Sequence, residues 1–309
     1  MFSYRHAFHA GNHADVLKHT VLVAAVKYLT EKDAALTVVD THAGAGLYRL
    51  DGDYAETSGE AVDGVFRLLS AKNKPLIKTR ADSKSLAAGV APALQEYLAM
   101  VSGFNAPASF KVYPGSPFII QSLLRSHDKL KLFELHPTDA KTLSSNIAQL
   151  DAGRQIAVLR EDGFDGLKKF IPPVVRRALV LCDPSYEIKS DYARVVAMAA
   201  DSLKRFPTGT YAFWYPIIPR PEAHDLPRKL KTLAMKSGKG WLNAALTVKS
   251  SKLTTDKLGE TVRPGLPASG MFLINPPHTL KAALQLALPQ LVEMLGQDRH
   301  ATFTLEGGG

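Results

Sequence analysis

Short apolar runs alternate along the chain with longer stretches that have the periodicity of amphipathic helices. The apolar runs are rich in Val, Ile and Leu and are bounded by turn residues, as strands buried on both faces of a sheet are. They lie at 36–40, 110–113, 129–134, 155–159, 178–183, 209–215, 241–249 and 270–275. Helical periodicity occupies residues 13–30, 137–147, 191–206 and 280–295. This alternation predicts an α/β fold with a mostly parallel sheet.

The segment from residue 53 to residue 109 interrupts this alternation. Thr57 and Glu60 precede a group of apolar residues with the spacing of a capping box, which predicts a helix, and a second helical pattern follows a basic stretch. Roughly 55 residues make a marginal core by themselves. We therefore expect 53–109 to be a small helical insertion in a single sheet domain formed by residues 1–52 and 110–309.

Composition narrows the class of protein. The chain has 309 residues, 46% of them hydrophobic, which is enough for a sizeable core and excludes a disordered or fibrous protein. No apolar run reaches the roughly 18 residues of a membrane span, and the polar N-terminus does not resemble a signal peptide. The single cysteine, Cys182, excludes an internal disulfide and a multi-cysteine metal site. These features predict a cytoplasmic protein without a membrane partner.

The positive charge is concentrated in one part of the sequence. Residues 220–257 contain nine Lys or Arg residues against three Asp or Glu residues, which accounts for +6 of the net charge of +9. Such a stretch is most often a solvated face, and it is also the electrostatic pattern of a phosphate-binding surface. Charge alone favours the solvated face.

The first predicted strand ends in a turn that suits a ligand. Residues 36–40 continue into the sequence THAGAG at 41–46, and its glycines allow backbone N–H groups to approach a bound molecule closely. A dinucleotide site would need a third glycine where Arg49 stands. Two acids, Glu134 and Asp162, follow later strands, where carboxylates can hold ribose hydroxyls and an adenine edge. Either acid alone is more often a solvated loop residue, but together with the glycine turn they predict a nucleoside pocket.

The apolar run at 178–182 ends in the sequence Asp183-Pro184-Ser185-Tyr186. An exocyclic adenine amine is a poor nucleophile, and hydrogen-bond acceptors for both of its hydrogens would favour its attack. Asp183 offers a carboxylate oxygen, Pro184 offers a backbone carbonyl, and Tyr186 offers a face on which an unstacked base can lie. The alternative is an ordinary turn with a packed tyrosine. A similar sequence, Asn-Pro-Pro-His at 275–278, fits better as a strand end that leads into the next helix.

These motifs resemble a known family. The Asp-Pro-Ser-Tyr sequence is similar to the Asp/Asn-Pro-Pro-aromatic signature of amino methyltransferases that use S-adenosylmethionine. The chain as a whole resembles the RlmJ family of bacterial 23S ribosomal RNA adenine-N6 methyltransferases, over essentially its full length. The segments that carry this resemblance are YRHAFHAGNHADVLKH (4–19), DTHAGAG (40–46), YPGSP (113–117), ELHP (134–137), WYP (214–216) and ASGM (268–271). The resemblance implies a Rossmann-like class I S-adenosylmethionine-dependent methyltransferase sheet with a small helical insertion.

The resemblance also implies roles for individual residues. The catalytic aspartate of the family, a proton acceptor, falls on Asp183. The family tyrosine that contacts the substrate RNA falls on Tyr4. Lys18, beside His19 in the matched segment, could reach the RNA or the cofactor carboxylate, and Pro184 and Tyr186 are expected to contact the RNA base for the chemical reasons given above. Residues that contact S-adenosylmethionine fall on His19, His42, Ser116, Glu134, Asp162 and Gly163. One position departs from the family pattern, because Ser185 replaces a proline. Since Pro184 keeps its carbonyl, we expect this change to affect the rate of the reaction and not its nature.

The histidines near the N-terminus also raise the possibility of zinc. His6, His9, His13 and His19 lie close together in sequence, but Gly11 and Asn12 interrupt any helix that would align them. We therefore expect no metal.

The sequence thus predicts a monomeric enzyme that methylates the N6 amine of a specific adenine in 23S ribosomal RNA, with S-adenosylmethionine as the methyl donor. Two alternatives remain. One is a DNA adenine-N6 methyltransferase, although such enzymes usually carry a target-recognition domain that is not recognisable in this sequence. The other is a non-catalytic RNA-binding protein on the same scaffold.

Overall fold

A central eight-stranded sheet organises the chain. The computed structural model describes residues 5–51, 59–72, 89–106, 109–252, 254–255, 261–262 and 265–309. Its strands are β1 (Thr37–Asp40), β2 (Leu47–Arg49), β3 (Val112–Pro114), β4 (Lys129–Phe133), β5 (Ile156–Leu159), β6 (Ala178–Cys182), β7 (Thr210–Ile217), β8 (Trp241–Thr247), β9 (Thr254–Thr255), β10 (Thr261–Val262), β11 (Ala268–Ile274) and β12 (Thr302–Gly308). Its α-helices are α1 (His13–Glu31), α2 (Val65–Lys72), α3 (Pro92–Ser102), α4 (Ser116–Leu123), α5 (Pro137–Ile147), α6 (Gly163–Gly166), α7 (Ser190–Arg205), α8 (Pro221–Lys236) and α9 (Leu280–Leu295).

The strand order of this sheet is β12-β8-β11-β7-β6-β1-β4-β5. The strands from β5 to β7 are paired in parallel, with helices on both faces of the sheet. On the other side β11 is antiparallel to both β7 and β8, and β12 is antiparallel to β8. The predicted α/β class is therefore confirmed, with an antiparallel edge that the apolar pattern did not reveal.

Several elements differ from the prediction. The apolar run at 110–113 is not part of the main sheet, because β3 pairs only with β2 in a separate two-stranded ribbon. Helix α8 lies in the basic stretch, where its many charges obscured the apolar positions that face the core. Those positions are Ala223, Leu226, Leu230 and Ala234, which are all buried. The sequence pattern also missed α4 and β12.

Helix α1 brings polar residues deep into the protein. Asn12 caps the helix as predicted, and its Oδ1 accepts hydrogen bonds from the backbone N–H groups of Ala14 and Asp15 at 3.0 Å. The helix packs on β11 and is covered by α3, α4 and α9, so most of its length is buried on all sides. As a result, Lys18 and His19 are enclosed by protein on the edge of the sheet where α1 begins.

The described part of the predicted insertion packs directly on the main core. Helices α2 and α3 contact α9, and α3 also contacts α1. The side chain of Gln290 on α9 accepts a hydrogen bond from Ala91 N at 2.8 Å and donates one to Gly89 O at 3.0 Å. The domain boundaries at 53 and 109 stay a prediction.

The predicted capping box is wrong. Helix α2 begins at Val65, too far from Glu60 for that residue to cap it. The Glu60 carboxylate accepts hydrogen bonds from His9 Nδ1 at 3.0 Å and Asn12 Nδ2 at 2.9 Å. Thr57 lies outside the described residues.

Candidate active site

The carboxyl ends of the parallel strands meet at one edge of the sheet, where a cavity of about 220 Å³ opens. Asp40 at the end of β1 lies between Leu132 of β4 and Leu181 of β6 in the strand register. The cavity is therefore bordered by the residues that follow β1, β4, β5 and β6. It is lined by all the residues predicted to contact S-adenosylmethionine, His19, His42, Ser116, Glu134, Asp162 and Gly163, and also by Lys18, Asp183 and Pro184. We call it the cofactor cavity.

The glycine turn fixes the carboxylate of Glu134. Gly44 has a φ of +61°, and a Cβ at this position would lie 2.2 Å from the hydroxyl oxygen of Tyr48, so only glycine fits. Its N–H donates to Glu134 Oε2 at 2.8 Å, while His136 N donates to Oε1 at 2.7 Å. Burial raises the pKa of Glu134, and these two backbone hydrogen bonds act in the opposite direction. The remaining lone pairs of the carboxylate can accept hydrogen bonds from a pair of hydroxyl groups.

The other end of the cavity is formed around Asp162 and Gly163. A Cβ on Gly163 would lie 2.0 Å from the carbonyl oxygen of Thr41, so glycine is required by the close approach of two backbones. Asp162 caps α6 by accepting a hydrogen bond from Phe164 N at 2.9 Å, and its other oxygen accepts one from Arg194 at 2.8 Å. The guanidinium of Arg194 lies 4.3 Å from the centre of the Phe164 ring.

Phe164 and Arg194 were not identified from the sequence, and both line the cofactor cavity. The edge of the His42 ring also packs on Phe164, with ring centres 4.8 Å apart. Burial lowers the pKa of His42 to about 4, so its ring is neutral at neutral pH. Arg194 comes from α7, far from Asp162 in sequence, and no local pattern connects the two residues.

A buried acid that was not singled out from the sequence lies behind the cavity wall, directly before the lining residue Thr41. Asp40 accepts a hydrogen bond from Ser116 Oγ at 2.7 Å, which fixes the orientation of that predicted cofactor contact. Burial raises the pKa of Asp40 to about 6. Asp40 therefore supports the cavity through Ser116 without lining it.

His19 presents a ring nitrogen that has no partner. Its Nδ1 is hydrogen-bonded to the hydroxyl of Tyr113 at 2.8 Å, whereas its Nε2 is buried without a hydrogen-bond partner among the described residues. Burial lowers the pKa of His19 to about 3, so the ring is neutral. Since buried polar atoms are normally paired, this nitrogen on the wall of the cavity suits a polar group of a bound ligand.

Asp183 lies at the end of β6 in a cluster of buried charges. The ammonium of Lys18 is 2.5 Å from Asp183 Oδ2 and 2.8 Å from Asp15 Oδ1. Asp15 also accepts hydrogen bonds from Gly11 N at 2.9 Å and His6 Nε2 at 3.0 Å. Burial by itself would lower the pKa of Lys18, but the charges of Asp15 and Asp183 outweigh it and raise that pKa above its usual value. Lys18 is thus held between two carboxylates, and its predicted contact with RNA stays a prediction.

A second, larger cavity of about 940 Å³ adjoins the first, and we call it the substrate cleft. The two cavities share part of their walls, namely His6, Lys18, Asp183, Ser185 and Glu187. Asp183 is therefore accessible from both sides, with 13% of its side chain exposed. A carboxylate in this position can contact molecules bound in either cavity.

The aromatic residues of the substrate cleft are tightly packed. Tyr186 has a φ of +54°, an unfavourable backbone conformation for a bulky residue, and it is only 2% exposed. Its ring packs on Tyr192 with centres 4.6 Å apart, and its hydroxyl donates to Trp214 O at 2.7 Å. Trp214 lines the same cleft. The stacking of a base on Tyr186 stays a prediction, and Tyr4 lies outside the described residues.

The second Pro-containing sequence lies at the opposite edge of the sheet. Because β11 runs antiparallel to its neighbours, its last residue, Ile274, is paired with the first part of β7 at Tyr211 and of β8 at Trp241. The side chain of Asn275 donates hydrogen bonds to Pro207 O and Gly209 O, which close this end of the sheet. Its interpretation as a strand end is confirmed.

Within the described part of the chain, no group of three or more His, Cys, Asp or Glu side chains is arranged to hold a metal ion. His6 and His9 instead contact Asp15 and Glu60. Cys182 is buried in β6, and burial raises the pKa of its thiol. No α-helix in the described ranges has the length and apolar character needed to cross a bilayer.

Comparisons with known proteins agree with this site. A family model described as "Ribosomal RNA large subunit methyltransferase D, RlmJ" matches residues 33–306. A protein of Escherichia coli (strain K12) named "Ribosomal RNA large subunit methyltransferase J" is 40% identical over 291 residues, covering 94% of this chain and 93% of that protein. Its namesake in Haemophilus influenzae is 36% identical over 307 residues, covering 99% and 98%.

A solved structure shows the same fold. The crystal structure of protein LPL1258 from Legionella pneumophila aligns with a TM-score of 0.79 and 29% sequence identity, and the alignment covers 97% of this chain and 98% of that protein. The family model covers the chain from residue 33 to residue 306, and the two relatives align over 94% and 99% of it. The chain therefore belongs to the RlmJ family of ribosomal RNA large subunit methyltransferases.

Proposed function

We propose that this protein transfers a methyl group from S-adenosylmethionine to the N6 amine of a specific adenine in 23S ribosomal RNA. One observation carries the proposal: Asp183 lies on the wall shared by two adjoining cavities. One cavity has the polar groups that a nucleoside cofactor requires, and the other is larger and partly aromatic. A methyl donor and a base placed in these cavities would meet beside the same carboxylate.

The residues of the cofactor cavity fit S-adenosylmethionine. The fixed carboxylate of Glu134 suits the two ribose hydroxyls, and Asp162 with Phe164 suits the adenine edge and ring. The unpartnered Nε2 of His19 and the hydroxyl of Ser116 suit the polar groups of the methionine part. When bound, this cofactor supplies an electrophilic methyl group on a positively charged sulfur.

Asp183 contacts the amine of the adenine base in the substrate cleft. Its carboxylate accepts a hydrogen bond from one amine hydrogen, and the carbonyl of Pro184 accepts one from the other. These acceptors draw the nitrogen lone pair out of the ring and position it for attack. The ammonium of Lys18 lies 2.5 Å from Asp183 Oδ2, which fixes the orientation of this carboxylate. Asp183 then holds the proton that the amine loses.

Ser185 replaces the second proline of the family motif and lies in the wall between the two cavities. Since the acceptor carbonyl belongs to Pro184, the substitution leaves the proposed contacts in place. We expect Ser185→Pro to change kcat modestly and to leave the product unchanged.

The test uses purified protein, unmodified large-subunit RNA and radiolabelled S-adenosylmethionine, followed by nuclease digestion and mass spectrometry. We expect one N6-methyladenosine in the RNA and no label in duplex DNA. Exclusive labelling of DNA would favour a DNA adenine methyltransferase. RNA binding without calorimetric binding of S-adenosylmethionine would favour a non-catalytic RNA-binding protein. Either result would overturn the proposal.

The proposed enzyme acts as a monomer in the cytoplasm. Both cavities are formed by residues of one chain, so a second copy is not needed to complete the site. Light scattering during size-exclusion chromatography tests the monomer, and a dimer that dissociates with loss of activity would contradict it.

A further inference from the structure

The substrate cleft is lined by both acidic and basic side chains. The wall that it shares with the cofactor cavity carries Asp183 and Glu187, and the ammonium of Lys18 is already bound to two carboxylates. Arg220 and Lys252 line the cleft outside this shared wall. Neither residue forms an ion pair with any residue that the structure describes, so their charges are available to a ligand in the cleft.

Lys249 and Lys252 belong to one turn whose backbone is held in place. Val248 N donates to Pro267 O at 2.9 Å, and Ser250 N donates to a carboxylate oxygen of Asp298 at 2.8 Å. The side chain of Ser250 in turn accepts a hydrogen bond from Lys252 N at 3.2 Å. The neighbouring Leu266 lines the substrate cleft, and its carbonyl oxygen is hydrogen-bonded to His13 Nε2 at the start of α1 at 2.9 Å.

Arg220 is hydrogen-bonded to the turn formed by residues 183–186, which we call the catalytic turn. Its guanidinium donates a hydrogen bond to the carbonyl oxygen of Tyr186 at 3.3 Å, immediately before α8 begins at Pro221. Five N–H donors are available on a guanidinium, so this contact leaves most of them free. We call Arg220 and Lys252, which line the cleft, and Lys249, which lies in the same turn as Lys252, the rim cations.

Several other cations of the basic stretch lie away from the cleft. An α-helix of 16 residues is about 24 Å long, so Lys236 at the end of α8 is far from the cleft. Arg228 is paired with Asp225, and Lys231 lies 4.6 Å from the ring of Trp241 near the opposite edge of the sheet. The basic stretch that is continuous in sequence is therefore divided in space, and of its cations in the described ranges Arg220 and Lys252 line the substrate cleft, with Lys249 in the same turn as Lys252.

We infer that the rim cations bind the backbone phosphates of the RNA strand next to the nucleotide whose base enters the substrate cleft. The inference rests on the proposed function, since it assigns the direction from which that substrate approaches. Contacts with phosphates position a nucleic acid without reading its sequence, and unpaired cations beside a base-sized cleft supply such contacts. The acidic wall around Asp183 is left for the base, whose amine hydrogens need acceptors.

The experiment compares two double variants that lose the same charge. Lys249→Gln/Lys252→Gln removes two rim cations, and Lys229→Gln/Lys236→Gln removes two exposed lysines from α8. Arg220 is left intact because it also holds the catalytic turn. RNA affinity is measured by fluorescence anisotropy with a labelled single-stranded fragment at several KCl concentrations, and methyl transfer and S-adenosylmethionine affinity are measured in parallel.

We expect the rim variant to lower the slope of log affinity against log salt by about 1.4, since each phosphate contact on a single strand contributes about 0.7. RNA affinity at low salt falls about tenfold, while kcat and cofactor affinity stay within twofold of the wild type. The α8 variant keeps the wild-type slope.

An unchanged slope in the rim variant, or an equal loss in the α8 variant, would overturn the inference. These outcomes are distinct from failure of the proposed function, which would be the absence of methyl transfer to RNA by the wild-type protein. Because RNA binding is measured directly, the role of the rim cations is decided in either case.

Discussion

Replacing Arg194 with methionine tests how the cofactor cavity is built. The guanidinium pairs with Asp162 at 2.8 Å and covers the Phe164 ring at 4.3 Å, and the Arg194 and Asp162 side chains are 37% and 30% exposed. An ion pair this exposed to solvent contributes about 0.2–1 kcal/mol, and a cation–π contact at an exposed site contributes about 0.5–1 kcal/mol. Together they stabilise the positions of Asp162 and Phe164 by about 1–2 kcal/mol.

If this energy serves to position the adenine-binding side chains, its loss weakens cofactor binding by the same amount. We expect Arg194→Met to raise the Kd of S-adenosylmethionine about 5- to 30-fold, measured by isothermal titration calorimetry. At saturating cofactor, kcat and the KM for RNA stay close to wild-type values, because Arg194 is remote from the substrate cleft. Arg194→Lys keeps the charge without the planar guanidinium and restores part of the affinity.

Arg160→Met provides the matched control. Arg160 follows β5 two residues before Asp162, is exposed, and does not line the cofactor cavity. This substitution changes the net charge equally, so it reveals any general electrostatic effect on the cofactor. If Arg194→Met leaves the Kd within twofold of the wild type, or if Arg160→Met weakens binding equally, the reasoning is refuted.

Three further predictions concern the same edge of the sheet. Asp183→Ala lowers the methylation rate at least 100-fold with calorimetric cofactor binding retained, and equal rates would disprove its role. Gly163→Ala places a Cβ 2.0 Å from Thr41 O and lowers both Tm and cofactor affinity, whereas Gly265→Ala, whose Cβ meets nothing within 4 Å, changes neither. The pKa of His42 is about 4 in the folded protein, whereas its usual value is 6.5. Between pH 4 and pH 6.5 the unfolded chain therefore binds more protons at this residue than the folded protein, so the free energy of unfolding falls as the pH drops. Lowering the pH from 7 to 5 therefore reduces the free energy of unfolding by about 2 kcal/mol through His42. We expect chemical denaturation of His42→Gln at the two pH values to show a loss of stability that is smaller than the wild-type loss by about this amount. An identical loss in the two proteins would contradict this prediction.

Sequence patterns predicted the elements that are locally defined. The run at 178–182 is apolar at every position and ends directly at Asp183, so both the strand and the acid that follows it could be recognised. Asn12 could be identified as a helix cap because its hydrogen bonds are made within three residues. In α8 the dense charges obscured the apolar face, and the helix was missed although its buried residues have helical spacing.

Features that depend on strand direction or on distant contacts could not be predicted in this way. Asn275 and Asp183 both follow apolar strands, and only the antiparallel course of β11 places Asn275 at the opposite edge. Arg194 reaches Asp162 because α7 packs beside α6, and neither residue carries a local signal of that contact. The roles that family resemblance assigns to the cavity residues stay predictions until variants are measured.

The buried ammonium of Lys18 is held between two carboxylates, those of the buried Asp15 and of Asp183, which is 13% exposed. Transferring such charges from water into a protein interior is unfavourable in free energy. Proteins in which buried ion pairs are replaced by well-packed apolar residues of similar volume are often as stable as the original or more stable. We therefore expect the ion pairs that link the start of α1 to the end of β6 to add little net stability to the fold, so that their replacement by hydrophobic residues leaves Tm close to the wild-type value or raises it.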